Sequence, residues 1–119
     1  MATPVPLNFG RDMQGYNAFA PQPSTIKYKA TLTANAATSV VVPSSSPSWI
    51  VSFRYSPNNV WVNFTGATAA TPTGATLTAT TDEMNPASVR LTSGTTISMI
   101  TSQTTADVSV VMWPDNAYA

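Results

Sequence analysis

The sequence predicts an all-β fold, an antiparallel β-sandwich or jelly-roll-like single domain carrying an extended N-terminal arm. Three observations predict it. Apolar and polar residues alternate with period two in short runs, turn residues break those runs about every 8–12 residues, and no stretch shows the apolar period of an amphipathic helix.

The arm is residues 1–25. Pro4, Pro6, Pro21 and Pro23 punctuate a stretch with neither helical nor strand periodicity, and each proline fixes its own φ and holds the preceding residue out of helix. Leu7, Phe9, Met13, Tyr16 and Phe19 supply large apolar side chains that a solvated linker would not carry, so a surface is expected to bury them. Fully stretched, such a segment reaches at most ~80–90 Å, enough to anchor on its own domain or on a neighbouring subunit.

Residues 26–113 are the expected sandwich. Ile26, Tyr28, Ala30, Leu32 and Ala34 point one way and Lys27, Lys29, Thr31 and Thr33 the other, a half-buried strand turned by Asn35-Ala36-Ala37. Ser39-Val40-Val41-Val42 follows, stopped by Pro43 and a Ser/Pro loop. Trp49, Val51, Phe53 and Tyr55 form one face of a strong strand, and Ile50 opens the other, so its first half is expected to be covered on both sides. Ser56-Pro57-Asn58-Asn59 is turn chemistry, and Val60, Val62 and Phe64 alternating with Trp61 and Asn63 predict a hairpin partner, closed by Gly66.

The Thr- and Ala-rich stretch 67–81 predicts weak strands or an irregular crossover, with Asp82-Glu83 in a solvated loop. Asn85-Pro86 turns the chain into Val89 and Leu91, and Ser93-Gly94 ends that run. Ile97 and Met99 then oppose Ser98 and Ile100, and a polar turn leads to Val108, Val110 and Met112 set against Ser109, Val111 and Trp113. Pro114 begins a short C-terminal tail, 114–119.

Composition narrows the function classes. Hydrophobic residues make up 43% of the 119, too many for disorder, yet no apolar run approaches the ~20 needed to span a bilayer, so no membrane role is expected. The opening residues show no basic cluster followed by an apolar stretch, so no secretory signal is expected. Cysteine and histidine are both missing, which removes disulfides, thiolate sites, the usual general base near neutral pH and the commonest transition-metal ligand. The chain is therefore expected not to be an enzyme, with no catalytic residues, cofactor or metal.

Charged residues are 8% of the chain against about 25% in ordinary domains, and they sum to zero. A surface so sparsely charged associates more readily than it repels, which suits a component that is partly covered. Nucleic acid is not an expected partner, because a neutral chain without a basic patch releases few counterions. Asp82 and Glu83, the one close acidic pair, would point to opposite faces of a strand, and no calcium-loop spacing links them to Asp12, Asp107 or Asp115. Lys27 and Lys29 share a strand face and are read as guards against strand-to-strand aggregation.

The aromatic residues raise a carbohydrate-binding alternative. Trp49 and Trp113 sit at strand ends, where large rings pack over the open end of a sandwich core. Trp61 is expected to point outward, because Val60 and Val62 claim the inner face; an outward Trp is an interface anchor or a sugar platform, and the interface is preferred. Asn63-Phe64-Thr65 matches a glycosylation acceptor and is read as chance.

The run Leu7-Asn8-Phe9-Gly10-Arg11-Asp12-Met13-Gln14-Gly15-Tyr16-Asn17-Ala18-Phe19-Ala20-Pro21 resembles the opening of small virion proteins of tailed bacteriophages. Trp49-Ile50-Val51-Ser52-Phe53, Val60-Trp61-Val62-Asn63 and Thr105-Ala106-Asp107-Val108-Ser109-Val110 agree with that resemblance, which spans nearly the whole chain. It implies a capsid decoration or cement protein located on the virion surface. Such a protein is made in the host cytoplasm, binds the major capsid protein or other virion subunits across their junctions, and is often a homo-oligomer such as a trimer. A head or tail fibre or adhesion component is the alternative within the same class. The residues expected to bind the partner are Leu7, Phe9, Arg11, Asp12, Tyr16, Phe19 and Trp61.

Overall fold

A computed structural model describes Pro4 and residues 9–11, 17–21 and 23–115. Among these residues ten strands follow one another: β1 (Phe9–Arg11), β2 (Asn17–Pro21), β3 (Ile26–Thr33), β4 (Thr38–Val41), β5 (Ser48–Ser56), β6 (Trp61–Asn63), β7 (Asp82–Met84), β8 (Ser88–Thr92), β9 (Thr96–Ile100) and β10 (Thr105–Pro114). β1 and β2 pair with one another, while the other eight form two antiparallel four-stranded sheets, ordered β3-β10-β5-β8 and β4-β9-β6-β7. The fold is an all-β sandwich.

Its connectivity is that of a jelly roll. β3 pairs with β10, β4 with β9, β5 with β8 and β6 with β7, so the first half of the sandwich zips onto the second half as one long antiparallel ribbon. Rolling that ribbon brings β10 beside β5 and β9 beside β6, and these two lateral pairings complete the sheets.

The ribbon stays hydrogen-bonded around its corners. At the first, Asn35 donates its N–H to the Thr101 carbonyl at 2.8 Å, with Asn35 itself at φ 59°, a left-handed conformation that Asn tolerates. At the second, Gly94 N–H donates to Val42 C=O at 3.0 Å and Val42 N–H to Thr95 C=O at 2.9 Å. At the third, Asn85 N–H donates to Val60 C=O at 2.9 Å and the Asn85 side-chain oxygen accepts from Val60 N–H at 2.8 Å. Backbone groups that leave a sheet at a bend would otherwise be stranded, and these cross-ribbon bonds satisfy them.

Alternation fills the space between the sheets. Trp49, Val51 and Phe53 of β5, Ala106, Val108, Val110 and Met112 of β10, Ile97 and Met99 of β9, and Val60 and Val62 beside and within β6 are all buried. Each such aliphatic or aromatic side chain contributes roughly 1.5–3 kcal/mol on burial, so this interior is the main favourable term. Phe53 stacks on Tyr55 at 6.2 Å between ring centres and meets Phe64 at 5.8 Å, which extends the core toward the β6 end.

Four local expectations are corrected. β5 and β6 are not a hairpin: the Ser56–Asn59 turn carries the chain from one sheet to the other, because both long edges of β5 are taken by β10 and β8. Asp82 and Glu83 lie in strand β7 rather than in a loop, held there by pairing with Asn63 and Val62. Trp113 does not cap the core; it stands half-buried on the outer face of its sheet, registered against Ile50. The arm contains paired strands, because main-chain hydrogen bonding between Phe9–Arg11 and Asn17–Pro21 needs no side-chain alternation. In 67–81 the irregular alternative holds, with no strand between β6 and β7.

Gly94 gives a direct test of the second corner. Its φ of 82° is a left-handed conformation, and a Cβ there would meet nothing within 4 Å, so any cost is conformational and not steric. Gly94→Ala is expected to lower stability by about 1–2 kcal/mol in urea unfolding, with the m-value unchanged.

Candidate functional site

The outer face of sheet β4-β9-β6-β7 is built from the residues that alternation turns away from the core. With Val60 and Val62 inward, Trp61 and Asn63 face outward, and the register sets Trp61 between Ile100 of β9 and Met84 of β7. Next to this apolar row runs a polar one, in which Asn63 lies between Ser98 and Asp82. Trp61 is half-buried, Ile100 is buried, and Met84 is 50% exposed.

The polar row is covered by the 64–81 crossover and fixes it in place. Asn63 is only 1% exposed and uses its whole hydrogen-bonding capacity on the two ends of the loop. Its amide donates to Thr81 Oγ1 at 2.8 Å and Asp82 Oδ1 at 3.0 Å, and its oxygen accepts from Thr65 N–H at 2.8 Å and Thr65 Oγ1 at 2.7 Å. Midway, Ala69 is buried and donates its N–H to Ser98 Oγ at 2.9 Å. Leu77, farther along the same loop, is fully exposed. The glycosylation-like triplet is therefore a loop clamp, with its amide enclosed and engaged.

A second feature is a cleft of about 190 Å³ where the edge strands β3 and β4 part. Tyr28, Ala30, Val40, Met99, Val108 and Val110 line it. Period two turns Tyr28 and Ala30 toward the interior, yet both are exposed, because β4 has only four residues and leaves the middle of β3 without a facing strand. The sequence signal was available in the small Ala30 opposite so short a strand.

Hydroxyls and a carboxylate converge on Asn63, where they bond one another and the loop. Asp82 accepts from Asn63 and from Thr80 Oγ1 at 3.2 Å, while Glu83 turns toward the opposite side of β7. Burial and then the negative charge of Glu83 push the Tyr55 phenol well above its ordinary range, so it remains a donor, to the Pro86 carbonyl at 2.7 Å. Among the described residues no group of three acidic, His or Cys side chains is placed to hold a metal ion.

Of the residues expected to bind a partner, Trp61 lies on this outer face. Phe9 and Arg11 fall on β1 and Phe19 on β2, while Leu7, Asp12 and Tyr16 lie outside the described residues. Sequence reasoning missed Met84 and Ile100, because the row that joins them to Trp61 exists only through the pairing of β6 with β7 and β9. No protein-family model matches the chain, and comparison with curated proteins and with solved structures returns no match.

Two outcomes follow from this geometry. Asn63→Asp places a buried carboxylate against Asp82, and like charges raise the folded pKa of the pair above its unfolded value, so the folded state takes up protons as pH falls. The variant is expected to melt well below wild type at neutral pH, with the gap narrowing toward about pH 4. Because the Tyr55 phenol is likewise raised, its contribution to stability is lost as pH climbs through and above its ordinary value of 10.0. Tyr55→Phe is expected to lose about 1 kcal/mol at neutral pH, for the bond to Pro86, and to decline less steeply in alkali when unfolding is followed against pH.

Proposed function

We propose that this chain is a non-enzymatic virion structural protein, a decoration or cement protein that binds the capsid surface across subunit junctions. The observation that carries the reading is the outward apolar row in which half-exposed Met84 and half-buried Trp61 lie beside Ile100, itself already buried within the chain, next to the polar row that the 64–81 loop engages. A half-buried Trp flanked by an exposed Met is the composition of an interface centre, where aromatic anchors supply most of the binding free energy.

Three further observations support it. Among the described residues the arm strands β1 and β2 pair with each other and join neither four-stranded sheet, as an arm that reaches for a neighbour would. The jelly roll recurs in viral shell domains, although it also serves lectins and cupins, so the topology favours the class without selecting it. The resemblance of the arm and of three later segments to phage virion proteins points the same way. The partner is then the major capsid protein or another virion subunit, and the chain works on the particle surface.

The carbohydrate-binding alternative fits the geometry less well. A sugar platform needs an exposed ring beside free amides or carboxylates. Here the nearest polar groups in register, Asn63 and Asp82, already bond each other and the 64–81 loop.

Co-sedimentation with capsids of the virus that carries the gene tests the reading. Wild type is expected to pellet with the shells, and Trp61→Ala combined with Met84→Ser is expected to weaken binding by at least about tenfold, some 1.4 kcal/mol or more, while circular dichroism stays native. Removing residues 1–24 is expected to weaken it further. Wild-type protein that stays in the supernatant at saturating capsid, or that binds a glycan array through Trp61 instead, defeats the proposal.

A further inference from the structure

The chain is neutral overall, but the fold separates its charges. Of the five Lys and Arg residues, four project from the outer face of sheet β3-β10-β5-β8: Lys27, Lys29, Arg54 and Arg90. The register places Lys29 and Arg54 on either side of Ser109, and Lys27 one row along beside Val111. Around them lie Thr31, Ser52, Ser88 and Ser109, with Val111 beside Lys27 and the larger Trp113 and Ile50 farther along the same face.

Two carboxylates share that face, and neither neutralises its centre. Asp115 sits 2.8 Å from Arg90 at one end, and Asp107 accepts a bond from Thr31 at 2.7 Å at the other. Among the described residues Lys27, Lys29 and Arg54 form no ion pair. Four cations against two carboxylates leave the face with an excess of two positive charges.

The balancing excess lies elsewhere. Sheet β4-β9-β6-β7 and the corners between strands carry no cation, and their only charged residues are Asp82 and Glu83 on β7. Among the described residues β7 is an edge strand with one side unpaired, and its last residue, Met84, is half exposed. The cleft between β3 and β4 shows that β3 lies beside the opposite edge of the sheet that β7 ends. Lys27 and Lys29 are therefore on the far side of the molecule from Asp82 and Glu83, and no rearrangement short of unfolding lets them meet within one chain.

We propose that a second copy of this chain meets them: the acidic β7 edge of one molecule docks on the Lys27–Lys29–Arg54 face of the next. The two patches differ, so the contact is head-to-tail and either closes into a ring or propagates. This deepens the assembly reading above by naming the surface through which copies associate. A polyanion such as nucleic acid is the lesser fit, because neutralising three phosphates gives a salt dependence of only about the 2.7 power, far weaker than dedicated binders show. The chain itself supplies the exposed Glu83 carboxylate, with the charge of Asp82 beside it although that group already accepts from Asn63 and Thr80.

Light scattering of the full chain, without capsids, tests this apart from the proposed virion role. At about 20 mM salt the mass is expected to be a multiple of 12.5 kDa and to fall toward the monomer at about 0.5 M, where the screening length drops to a few ångströms. One variant reverses the face, Lys27→Glu with Arg54→Glu. A second reverses the edge, Glu83→Lys with Asp82→Asn, which keeps an acceptor for the Asn63 amide. Each alone is expected to be monomeric at low salt, and an equimolar mixture is expected to recover the wild-type mass, a rescue that misfolded protein would not show. If either pair fails to give native circular dichroism, the single exposed change Lys29→Glu takes its place and is expected to weaken association at least about threefold.

Wild type that is monomeric at low salt overturns the proposal. So does an oligomer whose mass ignores both reversals, or a face that gains mass only when a DNA oligonucleotide is added. Capsid binding that survives in the monomeric variants would leave the virion role standing, and its loss together with intact self-association would remove that role alone.

Discussion

The fold depends on the last strand. β10 lies between β3 and β5 and, among the described residues, is the only strand hydrogen-bonded to β3, so residues 26–33 gain a sheet only when residues 105–112 arrive. Every in-register pairing in the sandwich likewise joins segments that are distant in sequence or separated by the 64–81 loop. Loop closure must be paid before such contacts return anything, so the sandwich forms as a whole or not at all.

That constraint explains where the buried polar groups sit. Ser24 accepts from Ile26 N–H at 3.0 Å and donates to the Met112 carbonyl, tying the start of β3 to the end of β10. Thr101 donates to Asn59 C=O at 2.8 Å, joining two corners, and Asn63 and Ser98 hold the long crossover. No buried side-chain nitrogen or oxygen among the described residues is left without a partner. Removing one member of such a bond strands the other and costs roughly 1–3 kcal/mol, which concentrates polar side chains where the ribbon bends.

The same topology gives the two outer faces different chemistry. One combines an apolar row with a covering loop, and the other sets most of the chain's cations among Ser and Thr, with Trp113 and Ile50 toward one end. A protein with so few charges gains little from any single ion pair at its surface, yet segregating them makes one side attract what the other repels. Two surfaces with different preferences suit a molecule proposed to touch both a shell and its own copies.

Strands with clear period-two patterns, and the side of each that faces inward, were legible in the residues alone. The alternation of Trp49, Val51 and Phe53, and of Val108, Val110 and Met112, is a local property that burial simply enforces. The outward placement of Trp61 was legible for the same reason. Adjacency, by contrast, is a product of the folded chain. Nothing near Ser56–Asn59 says that the following strand joins the other sheet, because that outcome is set by β10 and β8 occupying both edges of β5. Nothing near Trp61 names Met84 or Ile100, and nothing near Lys29 names Arg54, since each pair is brought into register by hydrogen bonds between segments far apart in the chain. A side chain's facing is fixed by its immediate neighbours, whereas its company on a surface is fixed by which strands the rolled ribbon lays side by side.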